Sequence, residues 1–168
     1  MKSVLISIQP KYCELIASGK KTIEVRKSRP KIETPFKCYI YMTATKERCR
    51  FWEYITAYQN SMGDIVDGSQ KVIGEFVCDR IYEIKNLGSS FMIGNDIALT
   101  NRTARESCLE FPDLRTYLKD KNGYAWHISD LKIYDKPKEL GNFFTPMGKR
   151  PSYMIERPPQ SYMYVEEV

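Results

Sequence analysis

The chain is 168 residues long, with 42% hydrophobic and 28% charged residues, proportions that are ordinary for a globular protein. This length predicts one domain over residues 1–168, with an insertion at about 45–70. The net charge of +5 is compatible with a nucleic-acid partner, but it excludes a polycationic tail.

Cysteine usage and the amino terminus exclude further classes of protein. The chain has five cysteines, none of them in a CxxC pair, and a single histidine. We therefore expect no zinc site of the usual cysteine and histidine spacing, and no other cofactor. The first apolar run, Val4 to Ile8, is too short for a signal peptide or a membrane span. The sequence therefore predicts a cytoplasmic protein with reduced cysteines and no membrane association.

The first part of the chain predicts a strand, a helix, a turn and a second strand. The first strand covers 3–8, and a helix follows over 10–18. Pro10 suits the first helical position, and Gly19 suits the left-handed position that ends a helix. Residues 22–26 then alternate between apolar and polar types, as in a strand with one buried face.

This second strand separates an apolar from a polar face. Ile23 and Val25 are expected to face the core, whereas Glu24 and Arg26 are expected to line a surface or a cleft, with Lys21 at its mouth. The polar pair are i, i+2 neighbours and close enough to form an ion pair. A guanidinium and an ammonium in one place suit a phosphate or the edge of a base.

The rest of the chain predicts more strands than helices. The expected elements are strands at 38–43, 71–84, 123–134 and 157–165, a connection over 87–99, and short helices at 103–109 and 113–121. Gly74 indicates a bulge or a close approach of two backbones. Asp113 suits a helix N-cap, and residues 135–138 are expected to end a strand. Because strands and helices do not alternate regularly, the fold class is α+β with a dominant sheet.

Two segments leave a functional and a structural interpretation open. The insertion interleaves basic and aromatic side chains such as Arg50 and Trp52, which suits either a grip on a nucleic-acid strand or packing on the sheet. Phe51, Ile55 and Tyr58 have helical spacing there. His127 is a lone histidine without a matched nucleophile, which favours a structural over a catalytic role.

The sequence resembles the ASCH domain, a branch of the PUA-like superfamily. Residues Gly19, Lys21, Glu24 and Arg26 match its GxKxxExR signature, and further similar segments lie at 6–12, 29–31, 72–76 and 123–128. The resemblance implies a small mixed β-barrel flanked by a few short helices. It also implies that RNA or a modified nucleoside or nucleotide binds in a cleft lined by Lys21, Thr22, Glu24 and Arg26.

The resemblance leaves several activities open. One bacterial branch resembles an amidohydrolase of N4-acetylcytidine whose catalytic lysine matches Lys21, but the assisting threonine of that branch is Glu24 here. If this chain is an enzyme, Lys21 and Glu24 are its expected catalytic residues, with Glu24 as a general base or as an ion-pair partner. Ribonuclease activity and a protein adaptor of unknown partner are the remaining alternatives.

Overall fold

The computed structural model describes residues 3–44, 57–148 and 151–167. The strands are β1 Ser3–Ile8, β2 Ile23–Arg26, β3 Phe36–Met42, β4 Ala57–Gln59, β5 Ile65–Asp67, β6 Val72–Asn86, β7 Phe91–Ile93, β8 Gly123–Lys138, β9 Phe143–Phe144 and β10 Tyr162–Glu167. The helices are α1 Pro10–Ala17, α2 Ile97–Ser107 and α3 Phe111–Leu118, with a 3₁₀ turn at Leu140–Asn142.

One large sheet organises the molecule. Its strand order is β2-β8-β6-β3-β1-β10-β9, with β7 paired to β6, while β4 and β5 form a separate hairpin. The pair β1 and β3 is parallel, and the long strands β6 and β8 pair antiparallel. The expected α+β class with a dominant sheet and three short helices is thus confirmed, and a closed barrel stays a prediction.

The two faces of the sheet bury different apolar clusters. Alternate residues of β1 and β3, such as Ile6 and Ile40, pack with Trp126 under α1. Ile23 and Val25 of β2 pack instead in a separate cluster, with residues from β7, α3 and β8. The expectation that these two side chains face a core is confirmed, because their period-two spacing carries both to one side of the strand.

Glycine and turn chemistry behave as the sequence predicts at two positions. Gly19 has φ = +72° and ends α1, a conformation that costs glycine little. At Gly74 the register of β6 against β8 shifts, and a Cβ there would lie 2.5 Å from the carbonyl oxygen of Lys132. The bulge and the close backbone approach are both confirmed.

Three local expectations are wrong. The connection over 87–99 contains β7 and the start of α2, because Asp96 caps that helix by accepting from the Leu99 amide. The N-cap of α3 is Glu110, with Pro112 in the first turn, so Asp113 lies inside the helix. The strand expected over 123–134 does not stop before 135–138, since the pairing of β8 with β6 extends to Lys138.

The inserted segment is described only in part. Arg50, Phe51, Trp52 and Ile55 lie outside the described residues, whereas Tyr58 belongs to β4 rather than to a helix. Its ring is buried against the cluster under α1, and its hydroxyl donates to the carbonyl of residue 134. In the described ranges, no helix is both long and apolar enough to cross a membrane.

Candidate nucleotide-binding site

The turn before β2 is fixed from two sides. After Gly19 ends α1, the amide of Lys21 donates to the carbonyl of Leu15, 2.9 Å away. The amide of Thr22 donates to the carbonyl of Glu106 in the last turn of α2, also at 2.9 Å. The carboxyl end of α2 therefore lies directly on the segment that carries the charged side chains.

Lys21 is buried at the end of α2. Its side chain is 1% exposed, and Nζ donates to the carbonyl of Ser107 at 2.6 Å. The last carbonyls of a helix lack partners within the helix and carry the negative end of its dipole, which favours a cation there. Nζ also lies 3.3 Å from Oε2 of Glu24 and 5.1 Å from the centre of the Tyr12 ring.

Glu24 joins the two cations of the motif. Its second oxygen, Oε1, lies 3.1 Å from Nη2 of Arg26, so the predicted pairing of Glu24 with Arg26 is confirmed. The same Nη2 donates to the carbonyl of Ser7 in β1 at 2.6 Å, and Nη1 lies 3.4 Å from both the carbonyl and the hydroxyl oxygen of Ser161. Arg26 thus connects β2 to β1 and to the segment that enters β10.

The motif residues are therefore brought together, but they do not stand on an open surface. Lys21, Glu24 and Arg26 are all buried, and we call them the Lys21 cluster. The reason is tertiary: the end of α2 lies on Lys21, and the segment that enters β10 lies on Arg26. Buried charges of this kind are tolerated only when paired and hydrogen-bonded, and two cations here share one carboxylate.

Two buried N–H donors beside the cluster have no hydrogen-bond partner in the described part of the chain. They are Nε of Arg26 and the indole Nε1 of Trp126. Glu24 and Trp126 are register partners on neighbouring strands, so Trp126 lies on the face that carries Glu24 and Arg26. Buried donors are nearly always satisfied, so an acceptor from outside the chain would complete this arrangement.

Tyrosines that the sequence did not single out flank the cluster. The Tyr12 ring lies under the ammonium groups of both Lys11 and Lys21. Tyr117 of α3 is partly exposed and lies under the Lys27 ammonium. Desolvation raises the pKa of the Tyr117 hydroxyl, while the nearby Arg26 guanidinium acts in the opposite direction. No pattern in the sequence indicates that Tyr12 and Tyr117 lie beside the cluster, because their helices approach these charged residues only in the folded chain.

The fourth predicted ligand-binding residue, Thr22, is half-buried beside the cluster, and its carbonyl accepts from the amide of Ile128. Another carboxylate, Glu75 of β6, has partners of its own: it accepts from Tyr134 at 2.5 Å and pairs with Lys37 at 3.1 Å. Desolvation acts to raise the pKa of Glu75, but these two hydrogen bonds outweigh it and the pKa is lowered.

One hollow in the described part of the chain lies outside the motif. It has a volume of about 450 Å³ and is lined by 153–157 and Met163, so no residue of the motif lines it. Among the described residues, no group of three or more histidine, cysteine or acidic side chains is close enough to hold a metal ion. The four cysteines of the described ranges are free thiols, and burial raises the pKa of Cys13, Cys38 and Cys78.

Comparisons with known proteins support the fold and a resemblance to one family. The ASCH domain family model matches residues 6–73, which include the whole motif. A crystal structure of an ASCH protein from Zymomonas mobilis superposes with a TM-score of 0.60 at 20% identity, covering 98% of this chain and 87% of that one. Two mutant proteins from that organism superpose with TM-scores of 0.61 and 0.60 at 20% identity, and their alignments cover 99% and 98% of this chain and 91% and 88% of theirs. The search of curated proteins found no match to this sequence.

Proposed function

We propose that this chain, whose residues 6–73 match the ASCH domain model, binds RNA or a modified nucleotide at the Lys21 cluster. The family has a PUA-like fold and is proposed to bind RNA. The residues assigned to the ligand are Lys21, Thr22, Glu24 and Arg26, and the geometry adds the rings of Tyr12 and Tyr117 beside them.

The unsatisfied donors next to Glu24 carry this proposal. Nε of Arg26 and Nε1 of Trp126 present N–H groups, and the Glu24 carboxylate presents acceptors, on one face of two adjacent strands. The Watson–Crick edge of a base offers both donors and acceptors, and a carboxylate accepts from an exocyclic amine. A purely anionic ligand would meet the Glu24 carboxylate, so a base edge fits the set better than a phosphate alone.

The surroundings of the cluster suit the remainder of a nucleotide. Lys11, Lys20 and Lys27 are exposed around the buried group, and Tyr117 is partly exposed. Aromatic rings stack on bases, and surface lysines interact with phosphates. The buried cluster would therefore supply selectivity, while the exposed lysines would supply affinity that depends on salt.

A structural role for the cluster is the competing explanation, and the experiment has to separate the two. We would measure binding of a fluorescent single-stranded oligoribonucleotide by anisotropy over a series of salt concentrations. The expected result is saturable binding. The logarithm of the association constant should fall linearly with the logarithm of the salt concentration, with a slope of about −0.7 for each phosphate contact. Folding of each variant is checked by thermal denaturation and circular dichroism.

Lys21→Met and Lys20→Ala form the matched pair of variants. Each removes one positive charge, from neighbouring positions, but only Lys21 contacts Glu24. A folded Lys21→Met protein should lose base selectivity and affinity, whereas Lys20→Ala should lose affinity for all sequences by one small, uniform factor. Absence of binding at low salt by oligonucleotides and by free nucleosides would refute the proposal.

An amidohydrolase is the second candidate, supported by one contact. Nζ of Lys21 and Oε2 of Glu24 are 3.3 Å apart, so an amine and a carboxylate stand together as an acid–base pair requires. As a nucleophile, however, Nζ would have to leave both the Ser107 carbonyl and Glu24. Incubation with N4-acetylcytidine and mass spectrometry tests this function; absence of cytidine at high protein concentration rejects that substrate.

A further inference from the structure

The face of β8 opposite the Lys21 cluster carries a second group of ionisable side chains. Trp126 is the register partner of Glu24, whereas the next residue, His127, is the register partner of Ile23. Because successive side chains of a strand point to opposite faces, His127 points away from the cluster. His127 therefore lies on a different face of the sheet from Lys21, Glu24 and Arg26.

His127 forms a short contact with a carboxylate. Its Nδ1 lies 2.5 Å from Oδ1 of Asp79, while Oδ2 of Asp79 lies 3.2 Å from Nε of Arg80. The His127 and Asp79 side chains are 19% and 32% exposed, so the pair is accessible from solvent. The second ring nitrogen, Nε2, has no partner in the described ranges, and it is not among the buried unpaired atoms.

The backbone holds this pair in place. In the register of β6 against β8, Cys78 lies opposite Ile128 and Ile81 lies opposite Trp126. Two residues of β6, Asp79 and Arg80, therefore face the single residue His127, which is the definition of a β-bulge. Bulges redirect side chains and are frequent next to functional sites. The Asp79 carboxylate is thus positioned by the chain path rather than by its rotamer alone.

The charge state of Asp79 suits a partner for the imidazole. Partial burial acts to raise its pKa, but the hydrogen bond with His127, the charge of that ring and the charge of Arg80 together lower it. Asp79 is therefore ionised near neutrality. A carboxylate on Nδ1 fixes the tautomer of a histidine and stabilises the imidazolium when Nε2 takes up a proton.

We propose that His127 and Asp79 form a binding site for a ligand that carries a hydroxyl group next to a phosphate. The Asp79 carboxylate holds the proton on Nδ1, so Nε2 keeps its lone pair and accepts a hydrogen bond from the ligand hydroxyl. Arg80 would bind the phosphate of this ligand. Asp79 contacts only the Nε of Arg80, and the Arg80 side chain is exposed, so its two terminal nitrogens can donate to the phosphate.

The tautomer of His127 gives the first test. As the only histidine of the chain, it yields one set of ring signals in nitrogen-15 NMR. The neutral ring is expected to carry its proton on Nδ1, with Nε2 unprotonated, and Asp79→Ala should abolish that preference. Asp64→Ala removes an exposed carboxylate elsewhere and should leave it unchanged. A wild-type ring protonated on Nε2 in its neutral form would overturn the proposal.

The reactivity of Nε2 gives the second test, with diethyl pyrocarbonate as the probe. At about pH 8, where an imidazole is neutral, the Nε2 of wild-type His127 should react several-fold faster than the ring in Asp79→Ala, because the proton is held on Nδ1. Inorganic phosphate should slow the wild-type reaction but not that of Arg80→Gln. Equal rates in wild type and Asp79→Ala would refute the dyad. Failure of phosphate to protect the wild type would refute the assigned ligand class. None of these measurements uses RNA binding or the Lys21 cluster, so their failure is distinct from failure of the proposed function.

Discussion

The two faces of β8 hold ionic groups under opposite conditions. On one face, Glu24 shares its carboxylate between Lys21 and Arg26, and all three side chains are nearly inaccessible to water. On the other face, Asp79 and His127 meet at a bulge where solvent reaches both. The same chemistry, a carboxylate with a basic group, is thus used in a buried and in an open environment.

The difference determines what each group can do and what its loss costs. Desolvation makes an unpaired buried charge very unfavourable, so the Lys21 cluster has to remain paired and also connects β1, β2 and α2. The pair at the bulge is screened by water, so it contributes little stability, and its ring is accessible to ligands and reagents in solution. We expect mutations to separate the two faces clearly, with stability responding on one and ring chemistry on the other.

Removing the shared carboxylate should have the largest effect. Glu24→Ala leaves both Lys21 and Arg26 buried without a counter-ion, and the expected loss of unfolding free energy is about 3–5 kcal/mol. Urea denaturation measures it, with Glu33→Ala as the control because that carboxylate is exposed in a loop. A loss no larger than in Glu33→Ala would show that the cluster is well hydrated and would remove the contrast between the faces.

Removing one cation of the cluster should cost less. In Lys21→Met, Glu24 keeps its contact with Arg26, and the unpaired group is chiefly the Ser107 carbonyl. The expected destabilisation is about 1–3 kcal/mol, the cost of leaving one buried acceptor unsatisfied. The same denaturation series checks the order of the two variants. If Lys21→Met is the more damaging of the two, the carboxylate is not the centre of the cluster.

The pair at the bulge should contribute stability that acid removes. The pKa of Asp79 is lower in the folded than in the unfolded chain, so its contribution is present above the unfolded value of about 4 and is lost as pH falls through the folded value. Because the pair is partly exposed, we expect at most about 1 kcal/mol. Stability of wild type and Asp79→Ala, measured from neutral pH down to pH 2, should converge at the acid end; a constant difference at every pH would contradict the assignment.

The smallest effect on stability is expected for His127→Gln. The ring is partly exposed, and a glutamine amide retains a donor for Asp79, so the unfolding free energy should change by less than about 1 kcal/mol. Thermal denaturation checks this expectation, and the reaction with diethyl pyrocarbonate should disappear in the same protein. A large loss of stability would indicate that His127 is a structural residue.

Several features of this protein follow from the sequence alone, because they depend on neighbours along the chain. The period-two pattern places Ile23 and Val25 on one side of β2 and brings Glu24 next to Arg26. Gly19 ends α1 through its own backbone conformation, which needs no distant contact. The ASCH resemblance and the α+β class likewise rest on residues that can be read in order.

The tertiary structure alone decided how those residues are used. Local spacing predicted an exposed or cleft-lining motif, but the end of α2 lies on Lys21 and the approach to β10 lies on Arg26, and both contacts join segments far apart in sequence. Asp79 meets His127 only because a bulge shifts the register of β6 against β8. Burial and register depend on which distant segments pack together, and a pattern of neighbouring residues does not contain that information.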